Sequence, residues 1–326
     1  MRPPPRIAAQ RGVALLVALL VVALAVVLIA GLLDRGELTA ARTRNQLRTI
    51  QAEAYAQGLE DYAARVLMQD DANGGQSDTS NDIWAVPLPP TPVPGGEITA
   101  TMSDLSGRFN LNNLYPLFDT SKIWFGKFQL LLIALKLDPN LAQVVVDWMS
   151  IDTGGGGSSD GFYLALPQPY RSAKNIFFHV SELRLLQGVS GDVYAQLAPY
   201  VSALPPGTLI NVNTASVPVL MTLSTLSPIT QQTAQALWQQ GHANFQTLEA
   251  FQSAATGVIA DCGAAPAPGS TAQQQLCFSV RSTYFLARGQ ITLDGLPFVF
   301  YSVIERRRSG PDGGYHVIQR SRGADG

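Results

Sequence analysis

Histidine, cysteine and charge are all scarce in this 326-residue chain: it has 3 histidines and 2 cysteines, and 14% of its residues are charged. His179, His242 and His316 share no motif, and no G-x-S-x-G, H-E-x-x-H, P-loop or Ser-His-Asp context occurs. The usual hydrolytic, phosphate-binding and His-metal routes to catalysis have no support, so the chain is read as a non-enzyme. Two cysteines cannot build a Cys-rich zinc site. Between Arg184 and Arg281 there is not one Lys or Arg. Affinity for nucleic acid comes largely from cations that neutralise phosphates, and this stretch has none to offer. Proline is missing between Pro5 and Pro87, which leaves room for one very long helix.

What is abundant is hydrophobic length. Residues 13–33, VALLVALLVVALAVVLIAGLL, contain no charge and follow Arg2, Arg6, Arg11 and Gly12 with no acidic residue among them. At 1.5 Å per residue the run reaches roughly 30 Å, enough to cross a bilayer core. The flanking arginines predict a cytoplasmic N-terminus with everything after Leu33 outside the cytoplasm. Three readings of the run are open here. A cleaved secretory signal has the wrong length and no A-x-A-like site before Asp34 and Arg35. A plain single-pass anchor fits hydropathy alone. A pilin-type leader, ending in Gly12 and cut before Val13, also fits and leaves the apolar run on the mature chain.

Beyond Leu33 the sequence turns polar but stays helix-compatible. Ala52, Tyr55, Leu59, Tyr62 and Val66 form a stripe on a 3.6-residue period, and the helix is predicted to run to about Gln69, before Asp70-Asp71-Ala72-Asn73-Gly74-Gly75. The Pro-rich run 87–96 reads as an extended surface traverse. Residues 97–102 and 107–111 read as two successive strands. A helical block follows over 120–255. Residues 278–292, 298–307 and 315–320 then read as strands, with a hairpin turn at 310–314. The order predicts an α+β protein: long helix, strands, a helical insertion, then strands that complete the earlier sheet.

Cys262 and Cys277 bracket a loop rich in Pro, Gly and Gln. Outside the cytoplasm a disulfide between them is expected, and closing about 15 residues contributes roughly 3 kcal/mol in the chain-entropy model; the alternative is two buried thiols. Asp147, Asp152 and Asp160 bracket a glycine run with hydroxyls, a hard-oxygen set of the kind calcium takes, although the spacing is not that of an EF-hand; the alternative is an acidic surface loop. Leu183–Val189 and Ile210–Ser216, each ahead of a helix, resemble helix-hairpin-helix modules of DNA-uptake proteins. That suggests a second function, an anchored binding module for DNA or another polymer. The missing cations argue against it, and no nucleic-acid partner is expected.

The leader RGVALLVALL together with LSGRFNLNNL, DGFYLALPQPYR, HVSELRLLQGV and INVNTAS is similar to the K-type minor pseudopilin of type II secretion systems, the general secretion pathway protein K family, over essentially the whole chain. The resemblance implies a pilin-like fold, with a long N-terminal transmembrane helix packed on an antiparallel sheet and a large all-helical domain inserted in it. The matching segments are a leader (1–12), a membrane part (13–33), a periplasmic part of the helix (34–69), a first β region (70–119), an inserted helical domain (120–255) and a last β region with the disulfide loop (256–326). It also implies cleavage by prepilin peptidase between Gly12 and Val13, methylation of Val13, and a single-pass protein of the inner membrane with its globular part in the periplasm. The implied partners are the I-type and J-type minor pseudopilins at the tip of a pseudopilus, and exported substrates. Calcium in the globular region is implied as well, which strengthens the expectation for Asp147, Asp152 and Asp160. Most pseudopilins carry Glu at the fifth mature position; here it is Val17. A lipid-buried carboxylate there needs a neighbouring subunit's amine, and a subunit with nothing ahead of it lacks that neighbour, so Val17 marks a terminal position.

Overall fold

The computed structural model describes residues 11–73, 75–151, 160–255, 277–307 and 314–323. The chain divides into two compact units, Met1–Tyr55 and Ala56–Gly326. One helix, α1 (Arg11–Ala72), supplies the described part of the first unit and begins the second. Its polar stretch contains three threonines, which are poor helix formers. Thr39, Thr43 and Thr49 each turn their hydroxyl back to the carbonyl four residues earlier, at 2.8, 3.0 and 3.0 Å, so the side chain bonds within the helix instead of competing with it.

The second unit is built on a five-stranded antiparallel sheet in the order β1-β2-β7-β8-β9. Its strands are β1 (Leu88–Val93), β2 (Gly96–Asp104), β7 (Tyr284–Leu293), β8 (Leu296–Arg307) and β9 (Gly314–Arg322). The chain leaves the sheet after β2 and returns to it at β7, pairing Gly96–Asp104 against Leu293–Phe285 without a register break. Everything between is the insertion. It holds α2 (Ile123–Ala134), α3 (Leu141–Met149), α4 (Asp160–Leu164), α5 (Gly191–Leu197), α6 (Val217–Leu220), α7 (Gln231–Trp238) and α8 (Leu248–Ala254). Two short parallel pairs lie there too: β3 (Phe109–Asn110) with β4 (Val201–Ser202), and β5 (Ile210–Asn211) with β6 (Phe278–Ser279). Phe109, Trp124, Phe128, Leu131, Leu132, Trp148 and Leu183 are all within its continuous apolar core.

Within the second unit α1 packs on the sheet through Leu59, Ala63, Val66 and Leu67. Ala63 and Leu67 join Trp84, Phe285 and Ile304 in one buried cluster. Gly289 makes this approach possible, since a Cβ there would stand 2.6 Å from Leu59 Cδ1. Two polar links fix the register. Glu60 accepts from Ser302 Oγ at 2.6 Å and from Arg320 Nε and Nη2 at 2.7 and 2.8 Å, and Tyr315 Oη donates to Leu67 O at 2.9 Å. Behind them Arg306 and Asp78, both almost fully buried, share three contacts of 2.9 Å. The Arg306 guanidinium also lies 5.0 Å from the Phe285 ring centre.

Four expectations are corrected. The Pro-rich run is extended as expected but is not an unpaired traverse: β1 pairs with β2 from Leu88↔Ala100 to Val93↔Gly96, with an irregularity between Leu88 and Thr91. It lies at the sheet edge, where missing N–H groups cost no ladder bonds. Residues 107–111 do not follow β2 as its hairpin partner; Phe109–Asn110 pairs with β4 inside the insertion. The segment read as one strand from 278 is two, β6 and β7, interrupted at Val280–Thr283, where Asp78 N donates to Val280 O and Ser282 N donates to Asp78. Tyr62, placed on the packing stripe, is 46% exposed, and Ala63 takes its place. The helix itself ends three residues later than predicted, at Ala72. The turn expected at 310–314 falls mainly outside the described residues, as do residues 1–10.

Candidate functional site

The first functional element is the apolar half of α1. The described side chains from Val13 to Leu33 are exposed, and the helix has an 18-residue window of mean hydropathy 3.4. It is the one described helix long and apolar enough to cross a membrane. Gly12 and Val13 lie in its first turn. Val17 is 53% exposed, an apolar residue on an apolar surface.

The second element is a set of buried asparagines that tie the insertion together and, at Asn211, link it to the rest of the second unit. Asn112 Nδ2 donates to Phe177 O (2.8 Å) and Leu204 O (2.9 Å), while its Oδ1 accepts from Phe177 N (2.7 Å). Asn110 bonds Pro205 O and Leu204 N, and Asn113 bonds Thr208 O and Gly207 N. Asn213 clamps Phe245 through both its N–H and carbonyl groups. Asn211 Nδ2 reaches Asp78 O (3.0 Å) and Ser282 Oγ (2.7 Å). Each side chain is at most 1% exposed, so each replaces water for backbone groups that a loop would otherwise leave unpaired. Asp104, at the end of β2, accepts from Thr214 Oγ1, Ser282 Oγ and Ser106 N; burial pushes its pKa up and these donors oppose the shift. Gly107 lets Thr214 pass, since a Cβ would stand 2.6 Å from Thr214 Oγ1. The segment NLNN thus ties stretches of the insertion to one another, and INVNTAS, through Asn211 and Thr214, ties the insertion to the end of β2 and to the loop at Asp78.

The carboxylates expected to hold calcium have other partners. Asp160 is buried and pairs with Lys174 Nζ at 2.9 Å and Arg171 Nη1 at 3.4 Å, and it accepts from the N–H and hydroxyl of Ser172. Lys174 first, then Ser172, hold its carboxyl down at about 2. These oxygens serve the chain's own cations, which fits a calcium ligand poorly. Asp147 is exposed and accepts from Gln143 Nε2. Asp152 lies outside the described residues, so the three are not brought together among them. Cys277 is buried and is not a free thiol; Cys262 lies outside the described residues.

The segments read as helix-hairpin-helix units are a 3-10 turn over Val180–Leu185 capped by His179 and Glu182, and a short strand leading into α6. Arg184 stacks over Tyr194 at 5.3 Å. His179 caps that turn through Ser181, and His242 Nδ1 meets Asn81 Oδ1 at 2.9 Å, so both have structural partners. Sequence reasoning passed over the asparagines as ligands of the fold. Their signal was present in the N-x-N spacing of both segments.

A family model described as type II secretion system (T2SS), protein K, matches residues 107–206. The chain is 34% identical over 330 residues to a type II secretion system protein K of Pseudomonas aeruginosa, covering 97% of this chain and 94% of that protein. It is 33% identical over 306 residues to the protein of the same description from Pectobacterium carotovorum, covering 89% and 90%. Among solved structures it superposes on a chain of the GspK-GspI-GspJ complex from the enterotoxigenic Escherichia coli type 2 secretion system, with a TM-score of 0.66, 25% identity, and coverage of 87% of this chain and 100% of that one. With a relative above 30% identity matched nearly end to end, the chain belongs to the type II secretion system protein K family.

Proposed function

We propose that the protein is the tip subunit of a type II secretion pseudopilus, joined there to I-type and J-type minor pseudopilins, and that it helps start filament assembly for export across the outer membrane. The observation that carries this reading is the likeness, over 87% of the chain, to a subunit of the GspK-GspI-GspJ complex. Val17 supports it. An apolar fifth mature residue needs no amine from a subunit ahead, whereas a buried carboxylate would. Cleavage by prepilin peptidase between Gly12 and Val13 frees the apolar helix for lateral assembly. The basic residues before it keep the N-terminus on the cytoplasmic side of the inner membrane, which puts the globular unit in the periplasm within reach of exported proteins. There a Cys262–Cys277 disulfide persists.

Co-expression with the I-type and J-type pseudopilins of the same organism tests the association. Affinity purification of the full chain in detergent is expected to bring down both in equal amounts. Recovery of the chain alone at micromolar concentration would overturn the reading.

A further inference from the structure

A depression of about 530 Å³ opens between α6 and α7 of the insertion, where Val217, Pro218, Gln231, Gln235, Trp238 and Gln240 line it. No ionisable residue is in its lining, and it belongs to the stretch between Arg184 and Arg281 that has no Lys or Arg. Its polar groups are not used by the fold. Gln231, Gln235 and Gln240 are exposed, and their amides have no hydrogen bond among the described residues. The Trp238 indole N–H has none there either, while its half-buried ring packs against the apolar core of the insertion. Each free amide can both donate and accept.

The backbone is bent at some cost to complete this lining. Gln231, Gln235 and Trp238 share one face of α7, at spacings of four and three. In a continued helix Gln240, two residues past Trp238, would point away from that face. Instead Gln239, Gln240 and Gly241 follow one another with φ of 50°, 61° and 87°. Glycine takes this region freely, but two glutamines in a row there are strained. The turn is held from outside: Ser80 Oγ donates to Gly241 O, and His242 Nδ1 meets Asn81 Oδ1 at 2.9 Å. The bend carries Gln240 back to the depression that the α7 face lines.

This lining suits one class of ligand. A charged ligand would find no counter-charge in it, and a wholly apolar one would strip water from three amides without replacing their bonds. A neutral sugar ring meets both demands. Its C–H face is apolar and slightly positive, so it stacks on the negative face of an indole, and its hydroxyls donate and accept as amides do. One aromatic platform with a few polar groups in a concave site is the general form of a small-ligand site. We propose that Trp238, with Gln231, Gln235 and Gln240, binds a neutral glycan of gluco-configured pyranose rings, whose equatorial hydroxyls leave the ring faces flat and apolar. One ring stacks on the indole and the three amides bond its hydroxyls. The site does not depend on the filament role.

Chitotetraose and cellotetraose are the probes, added to the full chain in an amine-oxide detergent that carries no sugar headgroup. The chain has 4 tryptophans, and Trp84, Trp124 and Trp148 are 3%, 1% and 2% exposed, so acrylamide quenching of fluorescence reports on Trp238. Millimolar saccharide is expected to lower the quenching constant by about half, because a stacked ring covers the exposed indole. The effect should be the same at low and high salt, since no charge takes part. Gln235→Ala should weaken binding about fivefold with the melting midpoint unchanged, and Gln252→Ala, on the exposed side of α8, should bind as wild type does. Chitotetraose carries an acetamide on each ring and cellotetraose does not, so protection by the first alone identifies an amino-sugar glycan and protection by both an unsubstituted one; either supports the proposal. Protection by neither saccharide, by a capped tetraserine peptide alone, only at low salt, or to the same degree in Gln235→Ala as in wild type would overturn it.

Discussion

Replacing Arg306 by Met removes a cation from a place water scarcely reaches. Its side chain is 2% exposed and that of its partner Asp78 is 1% exposed. The Met keeps most of the aliphatic length against Phe285, so the main loss is the three 2.9 Å contacts. Asp78 would keep one donor, Ser282 N, and remain buried with a charge that nothing nearby fully balances, because Arg281 reaches it only at 3.9 Å. Breaking a buried pair from one side costs about 3–5 kcal/mol. Against a domain stability of about 5–15 kcal/mol that is a large fraction, and at roughly 2–4 °C per kcal/mol it lowers the melting midpoint by about 10 °C. Urea unfolding of wild type, Arg306→Met, Asp78→Asn and the double variant measures it. The double variant is expected to be less damaged than the sum of the singles, because it leaves neither charge stranded. A loss under about 1 kcal/mol in Arg306→Met, or strict additivity, would refute the claim that this pair fastens the loop at residue 78 to β8.

Three more outcomes are expected. Burial first, then the neighbouring Asp82 and Asp78, push the folded-state Asp70 carboxyl up to about 6 from the ordinary carboxylate range, so the folded state holds a proton that the unfolded chain has already released. Stability should therefore be greatest at low pH with respect to this group and fall as pH rises from about 4 to about 6; pH-dependent unfolding of wild type and Asp70→Asn checks this, with the step missing in the variant. Gly289→Ala places a methyl 2.6 Å from Leu59 Cδ1 and should cost about 1–3 kcal/mol, partly recovered by Leu59→Ala in the same chain, as denaturant midpoints would show. Intact-mass analysis of protein from cells with prepilin peptidase should give a chain beginning at methylated Val13, and a chain beginning at Met1 would point to a plain anchor.

The fold was legible where periodicity is strong. The apolar run, the helix beyond it and the strands β2, β8 and β9 follow from hydrophobic spacing, because each buries one face or none. The signal failed where a local rule met a tertiary exception. Leu88–Val93 is rich in proline yet pairs, because it needs to offer bonds to only one neighbour. Phe109–Asn110 looked like a continuation of β2 because alternation does not reveal that its partner is β4, far along the chain. Asp294 and Gly295 both have positive φ, 47° and 80°, in the two-residue turn joining β7 to β8. That Asp-Gly pair is a strong short-range hairpin signal and was available in the sequence. The asparagine network was half visible: its segments stood out, but their partners, such as Phe177 and Leu204 for Asn112, are set by packing over long separations. The cluster of Asp70, Asp78 and Asp82 was invisible in sequence, because its members meet only when α1 ends and the chain folds back on it.

The central claim concerns position in a filament, and labelling pseudopili answers it directly. Full-length protein carrying an epitope tag at its C-terminus, expressed at native level and detected by immunogold electron microscopy, is expected to mark one end of each pseudopilus and no other point. Label spread along the shaft, or absent from filaments that still assemble and support secretion, would contradict it.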